Sequence, residues 1–429
     1  MNKISLILTI VILLIDLYAY KGLLRTFSRF FQGHGFVPLI YFGITAIFIG
    51  SVWIITRFNF TERRPGIFAG FYFFAGIFML IYIPKLVFIA FHLSEDIYHL
   101  TAKAAVAMVN LTDSGSRSVT RIHFLSIAGL FAAALPFLAI LYGMTFGRFN
   151  YKIENVRLEL PDLPAGFNGL KIVQISDLHL GSLYNKKGKT ARALALINNQ
   201  NPDLIVFTGD LVNSFSEEAV GWEELLARLR AKYGKYSILG NHDYGDYWHW
   251  ANAEEKQANM DLLADLYKRM GFRLLLNESA SISNKDDSIV IMGVENWGKP
   301  PFKQYGDLKR AMASANGAPF RILLSHDPSH WDAEVSGKTN IQLTLSGHTH
   351  AGQVGFRING FSWSLSQYIY KKWNGLYRDN GQYIYINRGL GTIGFPGRIG
   401  MSPEITVIEL FKTRKKGQGT RDEGQESDQ

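Results

Sequence analysis

The segment LTLSGHTHAGQ, residues 343–353, places two histidines one residue apart at the end of an apolar run. The chain contains only 11 histidines, and His348 and His350 are two of them. In an extended backbone, residues i and i+2 point to the same side, so the two imidazoles can face one cavity. Taken alone, this spacing is more often an ordinary turn than a metal site.

Four further apolar runs end in residues of the same kind. They are LKIVQIS before Asp177 and His179, DLIVFTG before Asp210, KYSILG before Asn241-His242-Asp243, and FRILLS before His326. Short apolar runs bounded by turn residues indicate buried strands. Ligands of α/β sheets bind beyond the carboxyl ends of the strands. Five strand ends that carry Asp, Asn or His therefore predict one site.

The chemistry of these side chains indicates divalent metal ions. A lone Asp after a strand is more often a helix cap, and Asn-His-Asp is usually a turn, so the argument depends on the ordered set. Carboxylate, amide and imidazole groups, in a chain without cysteine, suit Mn, Fe, Zn or Mg. Seven such ligands are too many for one tetrahedral ion and about right for two. Glycines at 209, 240 and 347 would allow sharp turns and leave space beside the metals.

The elements that must position these residues form an α/β domain, predicted over residues 150–412. Three more apolar runs, SIVIMGV, QYIYINRG and EITVIEL, are predicted strands. Helices are predicted at 190–199, 222–232, 254–270 and 309–315. The polar segment 413–429 is predicted to be a disordered tail.

Residues 1–149 are predicted to form a transmembrane region of about four helices. Apolar segments run roughly over 4–20, 37–56, 67–93 and 122–144, and about 20 apolar residues span a bilayer. The first segment lacks a small-residue cleavage site, so we expect an uncleaved helix. Asp16 and Lys85 fall near segment ends, where snorkelling to the interface would suffice.

These helices predict a multi-pass protein of the plasma (inner) membrane. The distribution of Lys and Arg favours a cytoplasmic N-terminus by a single charge, and an even number of helices then places the catalytic half in the cytoplasm. The net charge is +9, but the Lys and Arg residues are scattered along the chain rather than clustered. We therefore expect no nucleic-acid partner. Basic loops beside the helices suit anionic lipid headgroups instead. The oligomeric state is not predicted.

The ordered motifs resemble those of the calcineurin-like metallophosphoesterase superfamily: D-x-H, G-D, G-N-H-D, a lone His, and G-H-x-H. Here they read DLH at 177–179, GD at 209–210, GNHD at 240–243, His326, and GHTH at 347–350. The resemblance implies a four-layer α/β/β/α sandwich with a dinuclear metal centre. It assigns Asp177, His179, Asp210 and His350 to one ion. It assigns Asp210, Asn241, His326 and His348 to the other, with Asp210 bridging.

The resemblance also suggests roles for three other residues. His242 would stabilise the transition state or protonate the leaving group, and Asp243 would orient it. Arg398, in GFPGRIG, would contact a substrate phosphate, since a guanidinium fits that group; ordinary loop solvation is the alternative. Two metal ions supply an activated water, so no nucleophilic Ser or Cys is required.

Segment 386–410, INRGLGTIGFPGRIGMSPEITVIEL, and the apolar helices resemble a narrower, membrane-associated group. It is related to UDP-diacylglucosamine hydrolases and to transmembrane proteins with a metallophosphoesterase domain. That group often has Gly after G-H-x-H, where this chain has Ala351.

The leading hypothesis is a membrane-bound hydrolase of phosphoesters or pyrophosphates, acting on a lipid-linked substrate such as UDP-diacylglucosamine of the lipid A pathway. The first alternative is a phosphodiesterase for soluble nucleotides, with the helices as an anchor only. The second is a membrane scaffold or transport component with a regulatory phosphoesterase domain, which the complete ligand set disfavours.

Overall fold

The computed structural model describes residues 3–28, 35–57, 62–110, 118, 123–300, 302–313, 315 and 317–413. Its first part consists of four helices: α1 (Lys3–Thr26), α2 (Val37–Arg57), α3 (Ile67–Asn110) and α4 (Phe124–Thr145). All four are long and apolar enough to cross a membrane. The prediction of four membrane helices is confirmed.

Helix α3 continues far beyond its predicted apolar span. It has 44 residues, which at the rise of an α-helix amounts to about 66 Å, roughly twice the thickness of the hydrocarbon core. Residues 95–110, which lie beyond the predicted apolar segment 67–93, continue the same helix to its C-terminal end.

Two six-stranded sheets follow the helices. The first has the order β1-β14-β2-β3-β4-β5 and the second the order β12-β13-β9-β8-β7-β6, while β10 and β11 form a separate hairpin. The strands of the first sheet are β1 (Lys152–Leu160), β2 (Leu170–Ile175), β3 (Leu204–Phe207), β4 (Lys235–Ser237), β5 (Phe272–Leu274) and β14 (Glu404–Lys412). Those of the second are β6 (Glu278–Asn284), β7 (Asp287–Gly293), β8 (Arg321–Leu324), β9 (Leu343–Ser346), β12 (Gly375–Asp379) and β13 (Gln382–Ile386). The hairpin consists of β10 (Gly355–Ile358) and β11 (Phe361–Ser364).

The sheets are stacked in a four-layer α/β/β/α sandwich, as the resemblance implied. The helices of this region are α5 (Lys187–Asn198), α6 (Glu223–Leu226), α7 (Ala253–Arg269) and α8 (Leu308–Ala313). Alternate residues of β2 face opposite layers: Val173 packs with α5 and α7, whereas Ile172 packs with Ile291 of the second sheet. Burial on both faces explains why these strands are continuously apolar.

All eight predicted strands are present, but the predicted helix at 222–232 is too long, because only Glu223–Leu226 is helical. Strand β1 was missed. Its residues alternate between charged and apolar, KIENVRLEL, and it pairs in parallel with β14 at the end of the chain. The predicted disordered tail lies outside the described residues except for Thr413, and it stays a prediction.

The apolar helices are packed directly against loops of the sandwich. Phe68 at the start of α3 lies 5.9 Å, ring to ring, from Phe215. At the end of α4, the Gly143 carbonyl accepts a hydrogen bond from the backbone N–H of Arg398 at 3.2 Å. The Arg148 guanidinium donates to the Pro396 carbonyl at 3.0 Å. The loops at 213–218 and 391–400 are therefore held at the ends of the membrane helices.

A polar cluster lies within the helical region. Asp16, in the middle of α1, is fully buried. Its carboxylate accepts hydrogen bonds from the hydroxyls of Thr45 at 2.6 Å and Tyr82 at 2.9 Å, and it forms an ion pair with Lys85. The expectation that Asp16 and Lys85 reach the membrane interface by snorkelling is wrong, because the two side chains pair between the helices.

We expect Asp16→Leu to destabilise the protein by about 3–5 kcal/mol, because it leaves the Lys85 ammonium enclosed without its partner. The double variant Asp16→Leu/Lys85→Met removes both charges, so it should recover most of the loss. Thermal unfolding in detergent measures the effect. Ser51→Ala is the control, since the Ser51 hydroxyl donates to the Ile47 carbonyl of its own helix. A double variant as unstable as the single one would contradict the pairing.

Candidate metal centre

The structure brings all seven predicted metal ligands together. They follow β2, β3 and β4 of the first sheet and β8 and β9 of the second, beyond the carboxyl ends of these strands. Six of the seven are buried and His348 is half-buried. The site therefore forms where the carboxyl ends of the central strands of the two sheets lie side by side.

The backbone reaches this arrangement through left-handed turns. Five of the seven residues have positive φ: Asp177 at 51°, His179 at 47°, Asp210 at 59°, His348 at 73° and His350 at 50°. Residues other than Gly rarely adopt this conformation, and its concentration here is typical of functional sites. The proposed reason for the spacing, an extended chain with alternating sides, is therefore wrong.

Two of the motif glycines are required because their surroundings leave no room for a side chain. A Cβ on Gly240 would lie 2.2 Å from Asp210 Oδ1, and one on Gly347 would lie 2.5 Å from Asp177 Oδ2. Any side chain there would displace a carboxylate. By contrast, Ala351 is accommodated in the left-handed region at φ 47°, a conformation that glycine adopts more readily than alanine.

The ligand atoms form two groups that share Asp210. In the first, atoms of Asp177, His179, Asp210 and His350 all lie within 4.8 Å of one another, and in the second the same holds for Asp210, His326 and His348. Nε2 of His179 and Nε2 of His350 are 3.1 Å apart. Asp210 Oδ2 lies 3.1 Å from His326 Nε2 and 3.6 Å from His179 Nε2.

Burial sets the protonation of these groups. It lowers the pKa of His179 to about 3 and that of His348 to about 4, so both imidazoles are neutral at physiological pH. Burial, reinforced by nearby Asp210, raises the pKa of Asp177 to about 7. His326 differs, because the Asp210 carboxylate outweighs burial and raises its pKa to about 10.

The residues fit a pair of divalent ions. The neutral imidazoles of His179 and His350 face each other through Nε2, and His326 Nε2 faces Asp210 Oδ2, an arrangement that a cation stabilises. The Asn241 amide adds an oxygen, Oδ1, which is buried and has no hydrogen-bond partner among the described residues, while its Nδ2 donates to the Tyr247 hydroxyl at 2.7 Å. An orphaned buried oxygen is costly unless it binds a ligand.

His242 lies at the rim of this site with one imidazole nitrogen fixed. Its Nδ1 donates to the Asn213 carbonyl at 2.7 Å, and its backbone N–H donates to Asp210 Oδ1 at 2.9 Å. The His242 and His179 rings are 5.0 Å apart. Nε2 of His242 is therefore the nitrogen that can act on a bound molecule.

Asp243 does not orient His242, contrary to the prediction. Its fully buried carboxylate accepts hydrogen bonds from four backbone N–H groups, those of Asp210 at 2.8 Å, Leu211 at 2.8 Å, Val212 at 3.2 Å and Gly240 at 2.9 Å. Asp243 thus holds the turn that carries Asp210, and the Asn213 carbonyl orients His242.

Arg398 is not placed to bind substrate. Its side chain is 1% exposed. The guanidinium donates to the backbone carbonyls of Gly391, His350, Met401 and Arg388. The predicted contact of Arg398 with a substrate phosphate is therefore wrong. Arg398 instead stabilises the loop that packs against Asp177.

Three residues near the site escaped the sequence reasoning. The Tyr370 hydroxyl lies 2.8 Å from His348 Nε2, so Nδ1 is the His348 nitrogen available to a metal. The Tyr247 hydroxyl accepts a hydrogen bond from Asn241 Nδ2 at 2.7 Å. The buried Glu218 carboxylate accepts the Asn213 backbone N–H at 2.6 Å and so supports the carbonyl that fixes His242. Tyr370 and Glu218 carry no motif signal.

Comparison with known proteins supports the resemblance drawn from the motifs. A family model described as calcineurin-like phosphoesterase matches residues 170–352. A second, described as a probable calcineurin-like phosphoesterase transmembrane domain, matches residues 2–148.

Individual relatives match over different lengths. An uncharacterized metallophosphoesterase of Bacillus subtilis, YkuE, is 35% identical over 58% of this chain and 82% of its own length. A transmembrane protein with metallophosphoesterase domain of Danio rerio is 30% identical over 63% of this chain and 59% of its own length. An uncharacterized metallophosphoesterase of Campylobacter jejuni is 25% identical over 87% of this chain and 97% of its own. The chain thus spans little more than half of the Danio relative.

We expect Mn²⁺ affinity to rise with pH. A metal must displace the proton that Asp210 holds on His326, whose pKa is raised to about 10. Each pH unit between about 7 and 9 should therefore strengthen binding about tenfold, with about one proton released. Titration calorimetry in two buffers of different ionisation enthalpy measures both quantities. Equal affinity at both ends of this range would contradict the assignment of His326 as a ligand.

Proposed function

The chain belongs to the calcineurin-like metallophosphoesterases, and on that premise we propose that it is a membrane-bound dinuclear-metal hydrolase of phosphoester or pyrophosphate bonds. The observation that carries the proposal is the pair of buried ligand groups sharing the Asp210 carboxylate. A scaffold with a regulatory domain would have no need of this complete set.

The ions would be held as the motif resemblance assigns them. Asp177, His179, Asp210 and His350 would bind one ion; Asp210, Asn241, His326 and His348 would bind the other. Mn, Fe, Zn and Mg all suit oxygen and imidazole donors. When bound, two such ions supply positive charge for the phosphoryl oxygens and activate water.

The protein's own contribution begins with His242. Because Nδ1 is committed to the Asn213 carbonyl, Nε2 can hold a proton for the leaving oxygen or donate a hydrogen bond to the phosphoryl group. Asp243 and Glu218 act indirectly, because their carboxylates fix the backbone of Asp210 and Asn213. Positioning of this kind, rather than covalent chemistry, is what phosphoryl transfer requires.

A cavity of about 300 Å³ beside the metal centre supports a substrate with more than one phosphate. It is lined by Lys299 and Lys371, by Lys372, which is paired with Asp332 at 2.6 Å, and by Tyr370, whose hydroxyl contacts His348. Ammonium groups beside a phosphoryl site suit the second phosphate of a pyrophosphate or of a nucleotide headgroup.

The attachment of the site loops to the membrane helices supports a lipid-linked substrate. Arg63, just before α3, forms an ion pair with Glu217 at 2.7 Å, next to the buried Glu218 that supports Asn213. UDP-diacylglucosamine, which combines a pyrophosphate with acyl chains, is the specific candidate. We further propose the inner membrane as the location and the cytoplasm as the side of the catalytic domain, on the single charge that favours it. A phosphodiesterase of soluble nucleotides remains the alternative.

With Mn²⁺, we expect purified protein to hydrolyse bis(p-nitrophenyl) phosphate and UDP-diacylglucosamine in vesicles, and cyclic nucleotides poorly. Asp210→Asn should abolish hydrolysis of each, because the shared carboxylate serves both ions. Release of p-nitrophenol from the diester and chromatography of the nucleotide and lipid products measure hydrolysis. Activity retained by Asp210→Asn would refute the dinuclear proposal. Preference for cyclic nucleotides would favour the soluble-substrate alternative.

We expect His242→Ala to lower kcat by about 10²–10⁴-fold, the usual loss of a general acid or base, with two Mn²⁺ ions per chain retained. Elemental analysis of the metal content separates this effect from loss of the site. His249→Ala is the matched control, since His249 lies in the same segment and is exposed. A His242→Ala enzyme with unaltered kcat would remove His242 from the mechanism.

A further inference from the structure

The hairpin formed by β10 and β11 begins five residues after the ligand His350 and is amphipathic. Phe356 pairs with Trp363, and Ile358 with Phe361. Because alternate residues share a face, these four side chains lie on one side. Ile358 is 62% exposed and Phe361 60% exposed, while Phe356 stacks on Trp363 at 5.7 Å. The hairpin thus presents a continuous apolar face, which we term the hairpin face.

The opposite side of the hairpin is attached to the sandwich. Arg357 forms an ion pair with Glu154 of β1, which also accepts a hydrogen bond from Arg388 at 2.7 Å. Ser364 is fully buried. This attachment holds the hairpin in one orientation and turns the hairpin face away from the sandwich.

The base of the hairpin is joined to the last membrane helix. Gly355 N–H donates to the Ile399 carbonyl at 2.9 Å, and the neighbouring Arg398 N–H donates to the Gly143 carbonyl of α4 at 3.2 Å. Glu154, the anchor of Arg357, lies only nine residues beyond Thr145, the last residue of α4. The hairpin face is therefore continuous with the part of the molecule that meets the membrane.

Exposed apolar side chains continue from the hairpin towards the metal centre. Leu365, Tyr368 and Ile369 are each about two-thirds exposed or more, at 66%, 73% and 67%. The next residue, Tyr370, contacts His348 through its hydroxyl. Exposed apolar side chains therefore follow the hairpin along the chain as far as Tyr370, at the rim of the ligand cluster.

We propose that the hairpin face docks on the lipid bilayer, as a second membrane contact beside the four helices. The bilayer is the occupant that the position favours, since the base of the hairpin is bonded to the segment that packs on α4. The composition agrees, because Phe, Trp, Tyr and Ile side chains are suited to the membrane interface. Exposed apolar surface of this extent marks an interaction site. On the proposed function, docking would present the metal centre to headgroups in the bilayer surface.

Fluorescent labelling tests the docking directly, because the chain has no cysteine of its own. Ile358→Cys and Phe361→Cys place an environment-sensitive dye on the hairpin face. Lys285→Cys places it on the β6–β7 turn as a control. The full-length protein is reconstituted in nanodiscs of phosphatidylethanolamine and phosphatidylglycerol. We expect blue-shifted emission at 358 and 361, quenched by lipids spin-labelled near the headgroup, and neither effect at 285.

Two results would overturn the proposal. Emission at 358 and 361 equal to that at 285 would show that the hairpin face stays in water. A blue shift that persists in detergent, disappears on dilution and is insensitive to spin-labelled lipid would show that a second copy of the chain covers it instead.

Hydrolysis gives an independent measure. We expect Ile358→Glu to lower the rate on UDP-diacylglucosamine in vesicles about tenfold relative to bis(p-nitrophenyl) phosphate, because one buried aliphatic side chain contributes roughly that factor. Ser281→Glu, at an exposed position of β6, adds the same charge elsewhere and should leave the ratio unchanged. An unchanged ratio in Ile358→Glu would also count against docking. If the unaltered protein hydrolyses neither bis(p-nitrophenyl) phosphate nor UDP-diacylglucosamine, the proposed function fails. The fluorescence measurements alone then decide whether the hairpin face docks on the bilayer.

Discussion

The Asp210 carboxylate is the group on which the rest of the site depends. A carboxylate this deeply buried is stable only beside compensating positive charge or donors. Oδ1 accepts the His242 N–H, and Oδ2 faces imidazoles from both ligand groups. Burial opposes ionisation, yet His326 and His242 hold the pKa of Asp210 well below its usual range. The surrounding turns, including the one fixed by Asp243, keep this single charge in position.

Much of the architecture could be predicted because both halves of the chain carry strong periodic signals. The four long apolar segments correspond to the four helices. The eight strands that were predicted correctly are those with continuous apolar runs. The strands that were missed are edge or hairpin strands such as β1, in which charged residues alternate with apolar ones. Helix α3 was predicted too short, because the residues beyond 93 are helical although they are more polar than the apolar segment before them.

The convergence of the candidate ligand residues was predictable, but their local geometry was not. All seven ligand positions converge because strand ends meet at one edge of each sheet. Local spacing, however, does not reveal left-handed turns such as those at Asp177 and Asp210. Arg398 was misassigned since a sequence cannot show that a guanidinium is enclosed by backbone carbonyls. Asp243 lies next to His242 in the chain, but its carboxylate points to other backbone groups.

The hydrogen bond between the Arg398 N–H and the Gly143 carbonyl joins the loop at 391–400 to a membrane helix whose tilt depends on the lipid bilayer. Helices accommodate a bilayer thicker or thinner than their apolar length by tilting. A tilt of α4 moves Gly143 and, with it, the loop at 391–400. Gly391 of that loop donates its N–H to the Asp177 carbonyl at 2.8 Å. Two hydrogen bonds thus connect the end of α4, through the loop at 391–400, to the backbone of Asp177.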